Sequence, residues 1–482
     1  MSPDAETVAN DSLRALVRRG AAWSIFSQAA AQFLRFASNL LLARLLFPEA
    51  FGLMAIVNAL LLGLNLFSDV GIGPSIVQNA RGNEPAFLNT AWTVQVVRGV
   101  ALWLVACAIA VPVGEFYGDP RLAGFVAVGG LTALIGGFNS TRLHTMYRNV
   151  DLARVSLIDF AGQAIGLLTI VVWALVVPTP WALVAGGIAG SLAELVLSHT
   201  TLPGIRNRLQ LDREALGQML RFGRWIFLST ALTFLVMQSD KLVFGKLVDP
   251  ATLGLYGFGV AITSAPLLLL GRIESAVFLP VFSRAHNAGD DLQAVFDRVR
   301  RPWMILAGWV FAGLSGGGQA VVDLLWDERY SGAGWITQLL SLAAWFGVLE
   351  MTNGAALLAR GQAKWLAALN AGKLLGMVVL IPVGYGLGGF RGAVLGLVAS
   401  EVLRYLLSAL ALRRQRLRGW PLDLRLTLWT LVTAWLGWQA ALFGGRAHSS
   451  PLLPAACVAL VVTLAWSPAL APVVKALRWR RG

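Results

Sequence analysis

Lys246-Leu247-Val248-Asp249-Pro250, followed by Gly254-Leu255, repeats a pattern first met 202 residues earlier as Arg44-Leu45-Leu46-Phe47-Pro48 followed by Gly52-Leu53. In both copies a basic residue precedes an apolar pair, a proline follows, and Gly-Leu comes after three further residues. The proline cannot continue the preceding helix, and the glycine lets the next one begin close by. Each copy therefore reads as a turn joining two helices, and the spacing points to an internal duplication.

The flanking sequence is apolar on both sides of both copies. Of 482 residues, 57% are hydrophobic and 13% charged, and the mean hydropathy is +0.67. That charged share is about half the usual value for a soluble domain. Disorder, a collagen-like chain and a disulfide-stapled secreted fold are excluded, and an all-α polytopic membrane protein is expected. A span needs about 20 mostly apolar residues. Fourteen are read, at 20–46, 51–78, 87–113, 122–143, 153–177, 181–203, 219–245, 252–280, 303–326, 334–358, 364–386, 391–411, 424–443 and 452–474. Residues 1–19 are polar and the first apolar run is too long for a cleavable signal, so span 1 is expected to be uncleaved. Cys107 and Cys457 lie inside apolar runs and read as buried thiols with no disulfide role.

The repeated turns follow spans 1 and 7. Six spans apart is an even number, so both copies run the same way through the bilayer, as parallel repeats. The expected organisation is a cytoplasmic segment 1–19, an N-lobe 20–203 (spans 1–6), an inter-lobe linker 204–218 and a C-lobe 219–411 (spans 7–12). Spans 13–14 and a cytoplasmic tail complete it at 412–482, outside the repeat and read as an appendage. The net charge is +14, but its basic residues sit in short loops rather than a nucleic-acid groove. With the N-terminus inside, cytoplasmic segments carry 27 of the 39 Lys and Arg and external loops 6, namely Arg44, Arg121, Lys246, Arg329, Arg391 and Arg446. That bias places both termini in the cytoplasm. No loop exceeds about 25 residues in this reading, so function resides within the bilayer.

Three stretches make a more specific match: Gln238-Ser239-Asp240-Lys241-Leu242-Val243-Phe244-Gly245-Lys246, then Leu253-Gly254-Leu255-Tyr256, then Phe278-Leu279-Pro280-Val281-Phe282-Ser283-Arg284. They resemble the polysaccharide-transporter (oligosaccharide flippase) branch of the multidrug/oligosaccharidyl-lipid/polysaccharide exporter superfamily. Phe51-Gly52-Leu53-Met54-Ala55 and Ser68-Asp69-Val70-Gly71 resemble the matching part of its first lobe, with Phe51 where many relatives carry Tyr. The likeness is greatest to exopolysaccharide (colanic-acid-type) flippases. It implies two six-helix lobes about a central cavity in the bacterial inner membrane. It also implies a lipid-linked oligosaccharide as substrate, surrounding membrane lipids, H⁺ or Na⁺ as coupling ion, and polysaccharide polymerase or export machinery as partner.

Ionisable residues within spans cost about 2.5–3.5 kcal/mol each at a helix centre and mark candidate sites. The basic ones are Arg35, Arg98, Lys241, Arg272, Lys373 and Arg404; the acidic ones are Asp69, Asp159, Glu194, Asp240, Glu274, Glu350 and Glu401. Several have structural readings: Glu401 and Arg404 as an i,i+3 pair, Lys241 snorkelling to an interface, and Arg98 bridged to Glu194 or Asp159. Arg35 shares a helical face with Gln28, Gln32 and Asn39. For a pyrophosphate-linked substrate, Arg35, Arg98, Lys241, Arg272 and Lys373 are candidate pyrophosphate contacts. Gln28, Asn39, Asn58 and Asn65, with Trp23 and Trp225, are candidate sugar contacts. Asp69, Asp240 and Glu274 are candidate ion-coupling carboxylates.

Enzyme signatures do not survive inspection. Gly313-Leu314-Ser315-Gly316-Gly317 matches a nucleophile-elbow string but lies inside an apolar span. Gly372-Lys373 is followed by Leu374, so it is no phosphate-binding loop. The four histidines lack metal-ligand spacing. No cofactor and no catalytic residue are expected. Three functions stay open: the oligosaccharide flippase, a drug or metabolite antiporter of the same superfamily, and a membrane polysaccharide polymerase or ligase. The last would need a large external loop. A lipid II flippase is close to the first.

Overall fold

The computed structural model describes residue 34 and residues 37–68, 71–149, 151–447 and 450–479; within these, the side chains of 152, 222–229, 232, 273, 276, 363, 447 and 474–479 are outside the description. No strand occurs among the described residues. Helix α1 (37–45) leads to α2 (Pro48–Phe67), α3 (Ile72–Gln78), α4 (Pro85–Tyr117), α5 (Arg121–Gly129), α6 (Leu131–Gly137) and α7 (Arg142–Arg148). Then follow α8 (Leu152–Val176), α9 (Trp181–Thr200), α10 (Arg213–Leu247), α11 (Pro250–Ala288) and α12 (Leu292–Leu325). The last four are α13 (Ala333–Ala359), α14 (Ala363–Arg414), α15 (Trp420–Ala447) and α16 (Leu452–Trp479). Among the described residues, ten helices are long and apolar enough to cross a membrane, or up to eleven if α5–α6 and α7, bent by 61°, form one span.

The repeated motif is a helix boundary in both places. Pro48 and Pro250 each occupy the first turn of their helix, where a missing N–H costs nothing. The copies differ in how they close that turn. Asp249 accepts hydrogen bonds from the Thr252 N–H at 3.0 Å and its hydroxyl at 2.7 Å. Phe47 supplies no side-chain cap, and Glu49 in the first turn instead pairs with Arg121 at 2.6 Å. They differ again downstream. In the first copy the chain breaks after α2 and restarts at Gly71, whose φ of 64° suits glycine. In the second, α11 runs on through Pro266 and Pro280.

The chain forms two compact units, residues 1–238 and 239–482, with the boundary inside α10. In the first unit α8 and α9 cross on glycines: a Cβ at Gly166 would lie 2.8 Å from the Gly186 carbonyl, and one at Gly190 2.9 Å from that of Gly162. Such small-residue contacts are how membrane helices approach closely. The stretch before α10 is non-helical and lies along α4. Gln210 N–H donates to Thr93 Oγ1 at 3.0 Å, Arg208 N–H to Asn89 Oδ1 at 3.1 Å and Asp212 N–H to Thr90 Oγ1 at 2.8 Å. Asn89 Nδ2 returns a bond to Gln210 Oε1 at 3.0 Å. Buried Ala215 and Met219 then pack with Ile72, Ile76 and Phe87.

In the second unit α14 is two arms joined by a glycine turn. Gly388 and Gly389 leave helical geometry, Gly389 with φ of 58°. A Cβ on Gly384 would collide with the Gly392 carbonyl, and one on Gly396 with that of Leu380. The arms are therefore antiparallel and in backbone contact, as expected for separate spans at 364–386 and 391–411. The core of this unit is aromatic, with Phe278, Phe282, Phe296, Phe311 and Trp345 all buried. The outward face is aliphatic, for example Leu375, Val379 and Val383 on α14, as a lipid-facing surface requires.

The C-terminal pair is no appendage of this unit. Trp345 Nε1 on α13 donates to Thr427 Oγ1 on α15 at 3.0 Å, and buried Trp466 on α16 donates to Thr433 at 3.0 Å while lying over Gly308 of α12. The Gly-x-Ser-x-Gly string supplies the seat: Gly316 faces the Ala434 carbonyl and Gly437 of α15, and Gly317 faces Val458 of α16. The expectation of buried cysteines is corrected. Both thiols are free, but neither is buried: Cys107 is exposed on α4 and Cys457 half-buried on α16, because an apolar run presents a lipid face as well as a core face.

Candidate functional site

The first unit contains a cavity of about 420 Å³ lined by both polar and apolar side chains. Its walls include Asn65, Gln95, Arg98, Asn139 and Glu194, from α2, α4, the α6–α7 break and α9. The cavity exists because two helices break around it. Arg98 lies in mid-α4, and its Nε donates to Ser68 Oγ at 2.9 Å and its Nη2 to the Asn65 carbonyl at 2.6 Å. A guanidinium thus caps the last turn of α2, where orphan carbonyls and the helix dipole favour a cation. One turn earlier, Gln95 Nε2 donates to the carbonyls of Gly136 at 3.0 Å and Asn139 at 3.1 Å, closing the end of α6. Gly99 lets α4 approach: a Cβ there would sit 2.9 Å from the Ala133 carbonyl and from Gly137 Cα. On the opposite wall Asn139 Nδ2 donates to Glu194 Oε1 at 2.9 Å. A cation and a carboxylate are therefore held on separate supports in one chamber.

The second unit carries its own charges, which neutralise one another. Lys373 and Glu401 form an ion pair across the two arms of α14, and Arg404 reaches Glu350 of α13 at 2.8 Å. The Glu401–Arg404 separation is 4.0 Å, so their i,i+3 spacing is the weaker of the contacts each makes. Arg404 also donates to Asn370 Oδ1 at 3.2 Å. Near the unit boundary, Tyr256 Oη donates to Asp240 Oδ2 at 2.5 Å, with Phe244 stacked edge-on against Tyr256.

Of the residues singled out in the sequence, Arg98 and Asn65 are brought together. Lys373 is in an ion pair, and Asp240 is bonded to Tyr256. Lys241, Glu274 and Asn39 are half-buried, while Arg272 and Asn58 are exposed. Arg35, Gln28, Gln32, Trp23 and Asp69 lie outside the described residues, as does the side chain of Trp225. No group of histidine, cysteine and carboxylate side chains suited to a metal occurs among the described residues.

Residues 41–335, more than half of the chain, match the family model described as "Polysaccharide biosynthesis protein". The chain belongs to that family. Among curated relatives, it is 21% identical over 398 residues to the lipopolysaccharide biosynthesis protein WzxC of Escherichia coli K12, covering 82% of this chain and 81% of that one. It is 20% identical over 322 residues to the teichuronic acid biosynthesis protein TuaB of Bacillus subtilis, covering 64% of each. In fold it is similar to the lipid II flippase MurJ in an inward closed conformation, with a TM-score of 0.72, 11% identity, and coverage of 94% of this chain and 99% of that one. It is also similar to an inward-facing multidrug resistance MATE transporter of the MOP superfamily, with a TM-score of 0.64, 14% identity, and coverage of 80% and 94%. The family resemblance read from the motifs at the repeated turns is thereby borne out, and the fold is that of the MOP transporters.

Two features of this polysaccharide biosynthesis protein escape a sequence reading. Gln95 and Asn139 build the chamber by bonding backbone at helix breaks, and side-chain type alone does not reveal such partners. Arg300, counted with the loop charges, is fully buried in the second unit against Asp423. The signal that could have found it is an aspartate, Asp423, in the first turn of an apolar helix.

Proposed function

We infer that this membrane transporter of polysaccharide biosynthesis is a flippase. It would move undecaprenyl-pyrophosphate-linked oligosaccharide repeat units from the inner to the outer leaflet of the bacterial cytoplasmic membrane, for exopolysaccharide or O-antigen assembly. Transport would be by gradient-driven alternating access, with both termini in the cytoplasm. The observation that carries this reading is Arg98: a guanidinium held in a chamber that also gathers Asn65, Gln95, Asn139 and Glu194 within an otherwise apolar bundle, in a family named for polysaccharide biosynthesis. A lipid-linked diphosphate must bring charge into an apolar layer, and a positioned guanidinium lowers that cost.

Within this reading Arg35, Arg98, Lys241, Arg272 and Lys373 are proposed for the pyrophosphate, and Gln28, Asn39, Asn58 and Asn65 for the sugars. Asp69, Asp240 and Glu274 are proposed to exchange H⁺ or Na⁺ with the gradient. Polysaccharide polymerase or export machinery would receive the product. The protein acts as a transporter and not as an enzyme.

The test is the lipid-linked sugar pool in cells lacking the protein, with an external sugar-modifying probe reporting its leaflet. The expected result is accumulation of undecaprenyl-linked repeat units on the inner face, cleared by the wild-type gene but not by Arg98→Ala or Arg35→Ala. A normal pool together with new sensitivity to cationic drugs would replace this reading with the antiporter one.

A further inference from the structure

The second unit has a surface that transport chemistry does not use. Where α14 ends and α15 begins, the chain reads Arg413-Arg414-Gln415-Arg416-Leu417-Arg418-Gly419-Trp420. Its backbone is tied down at every step. Gln415 N–H bonds to the Leu412 carbonyl at 2.9 Å and Leu417 N–H to the same carbonyl at 3.0 Å, closing the helix end. Arg416 takes the left-handed conformation with φ of 59°, the one positive φ among the described non-glycine residues. Glycine is the usual occupant of such a helix-terminating position. Leu417 is buried, and Gly419 is pressed against the Arg300 guanidinium, where a Cβ would come within 2.5 Å. Arg418 N–H donates to Gln293 Oε1 at 2.8 Å, Gln293 Nε2 donates to the Arg418 carbonyl at 3.0 Å, and Arg360 donates to the Gln415 carbonyl.

Arg414 lies over the Trp365 ring, while three other arginines of the segment project outward. Arg413, Arg416 and Arg418 are exposed, and among the described residues none of them is in an ion pair. Arg298 and Lys364 add exposed positive charge from the adjoining ends of α12 and α14. Of the nearby carboxylates, Asp291 caps α12 and Asp297 accepts from Gln293 at 2.9 Å, and among the described residues neither is in an ion pair with these arginines. Directly along α15 from the arginines, Trp420, Leu424 and Leu428 recur every four residues on one helical face, each more than half exposed.

We propose that this collar is a binding site for anionic phospholipids. Arg413, Arg416 and Arg418 receive the headgroup phosphate, and the Trp420–Leu424–Leu428 stripe receives the acyl chains. Topology alone asks for positive charge in a loop and is indifferent to its geometry. A strained arginine where glycine fits better, on a loop bonded on both sides, is geometry that charge counting does not explain. Clustered basic residues beside a helix end and an interfacial tryptophan are the general means of anionic-lipid recognition. The proposal does not depend on what the protein transports.

The experiment titrates delipidated, detergent-purified full-length protein with phosphatidylglycerol, following lipid adducts by native mass spectrometry and thermal unfolding in parallel. Phosphatidylcholine and inorganic phosphate serve as comparison ligands. Arg416→Gly removes one charge while suiting the backbone, so it is expected to fold at least as stably without lipid and to bind phosphatidylglycerol about fivefold more weakly. The triple variant R413Q/R416Q/R418Q is expected to lose the selective adducts. The proposal is overturned if Arg416→Gly binds phosphatidylglycerol as the wild type does, if phosphatidylcholine stabilises equally, or if inorganic phosphate alone reproduces the shift.

Discussion

Arg300 Nη1 and Asp423 Oδ1 stand 2.7 Å apart with neither side chain more than 1% exposed, joining α12 to α15. Thr352 Oγ1 accepts from Arg300 Nε at 2.6 Å, and Tyr405 Oη donates to Asp423 Oδ2 at 2.9 Å. Removing one partner of a buried pair strands the other charge, at about 3–5 kcal/mol. Asp423→Leu alone is expected to lower stability by that order. The double variant Arg300→Met with Asp423→Leu should recover most of the loss. Thermal unfolding of purified protein in detergent checks both, and equal damage from single and double variants would count against the pair.

The α4–α6 crossing gives a steric prediction. Gly99→Leu has no room beside Gly137 and should cost about 1–3 kcal/mol. A Cβ at Gly136 meets nothing within 4 Å, so Gly136→Ala should be neutral or stabilising by up to about 1 kcal/mol. Comparing the two melts separates a loss of close packing between α4 and α6 from a general intolerance of this crossing to substitution.

The caps at the repeated turn differ in a measurable way. Asp249→Ala removes the acceptor for the Thr252 N–H and should cost about 1 kcal/mol, whereas Asp249→Asn should keep most of it. Phe47→Ala should change stability without any capping component, because Phe47 makes no such bond.

Acid should loosen the loop that joins α4 to α5. The hydrogen bond from Arg121, 2.7 Å from Asp119, holds the Asp119 carboxyl below its ordinary range. A carboxylate with a depressed folded value contributes its full stability above its unfolded value, near pH 4, and loses it as pH falls through the lower folded value. Unfolding monitored from pH 6 to pH 2 should show this decline, and Asp119→Asn should remove that part of the acid sensitivity. A wild-type and Asp119→Asn pair with identical pH profiles would refute it.

What the sequence could express was set by local chemistry. Pro48 and Pro250 announced helix starts because proline is confined to a few backbone positions, and the gap between the spans read at 364–386 and 391–411 falls where Gly388 and Gly389 leave helical geometry inside α14. Arg98 was legible as an ionisable residue in a span. Its partner was not, since a backbone carbonyl at a helix break leaves no residue type to read. Arg300 was misplaced because positive charge near a helix end looks the same whether it turns outward or inward. Spans 13 and 14 looked peripheral because they lie outside the repeat, although packing does not respect the repeat's boundary.

The segment before α10 has a practical consequence. The twelve-residue stretch 201–212, between two apolar halves, is where an engineer would place an epitope tag, a protease site or a topology reporter. Here Asn207, Arg208, Gln210 and Asp212 are fastened to α4 and its neighbours, so the stretch serves as part of the first unit and has no spare length. Insertions there should unseat α4 and behave as folding lesions, so a lost signal from such a reporter would report misfolding rather than sidedness.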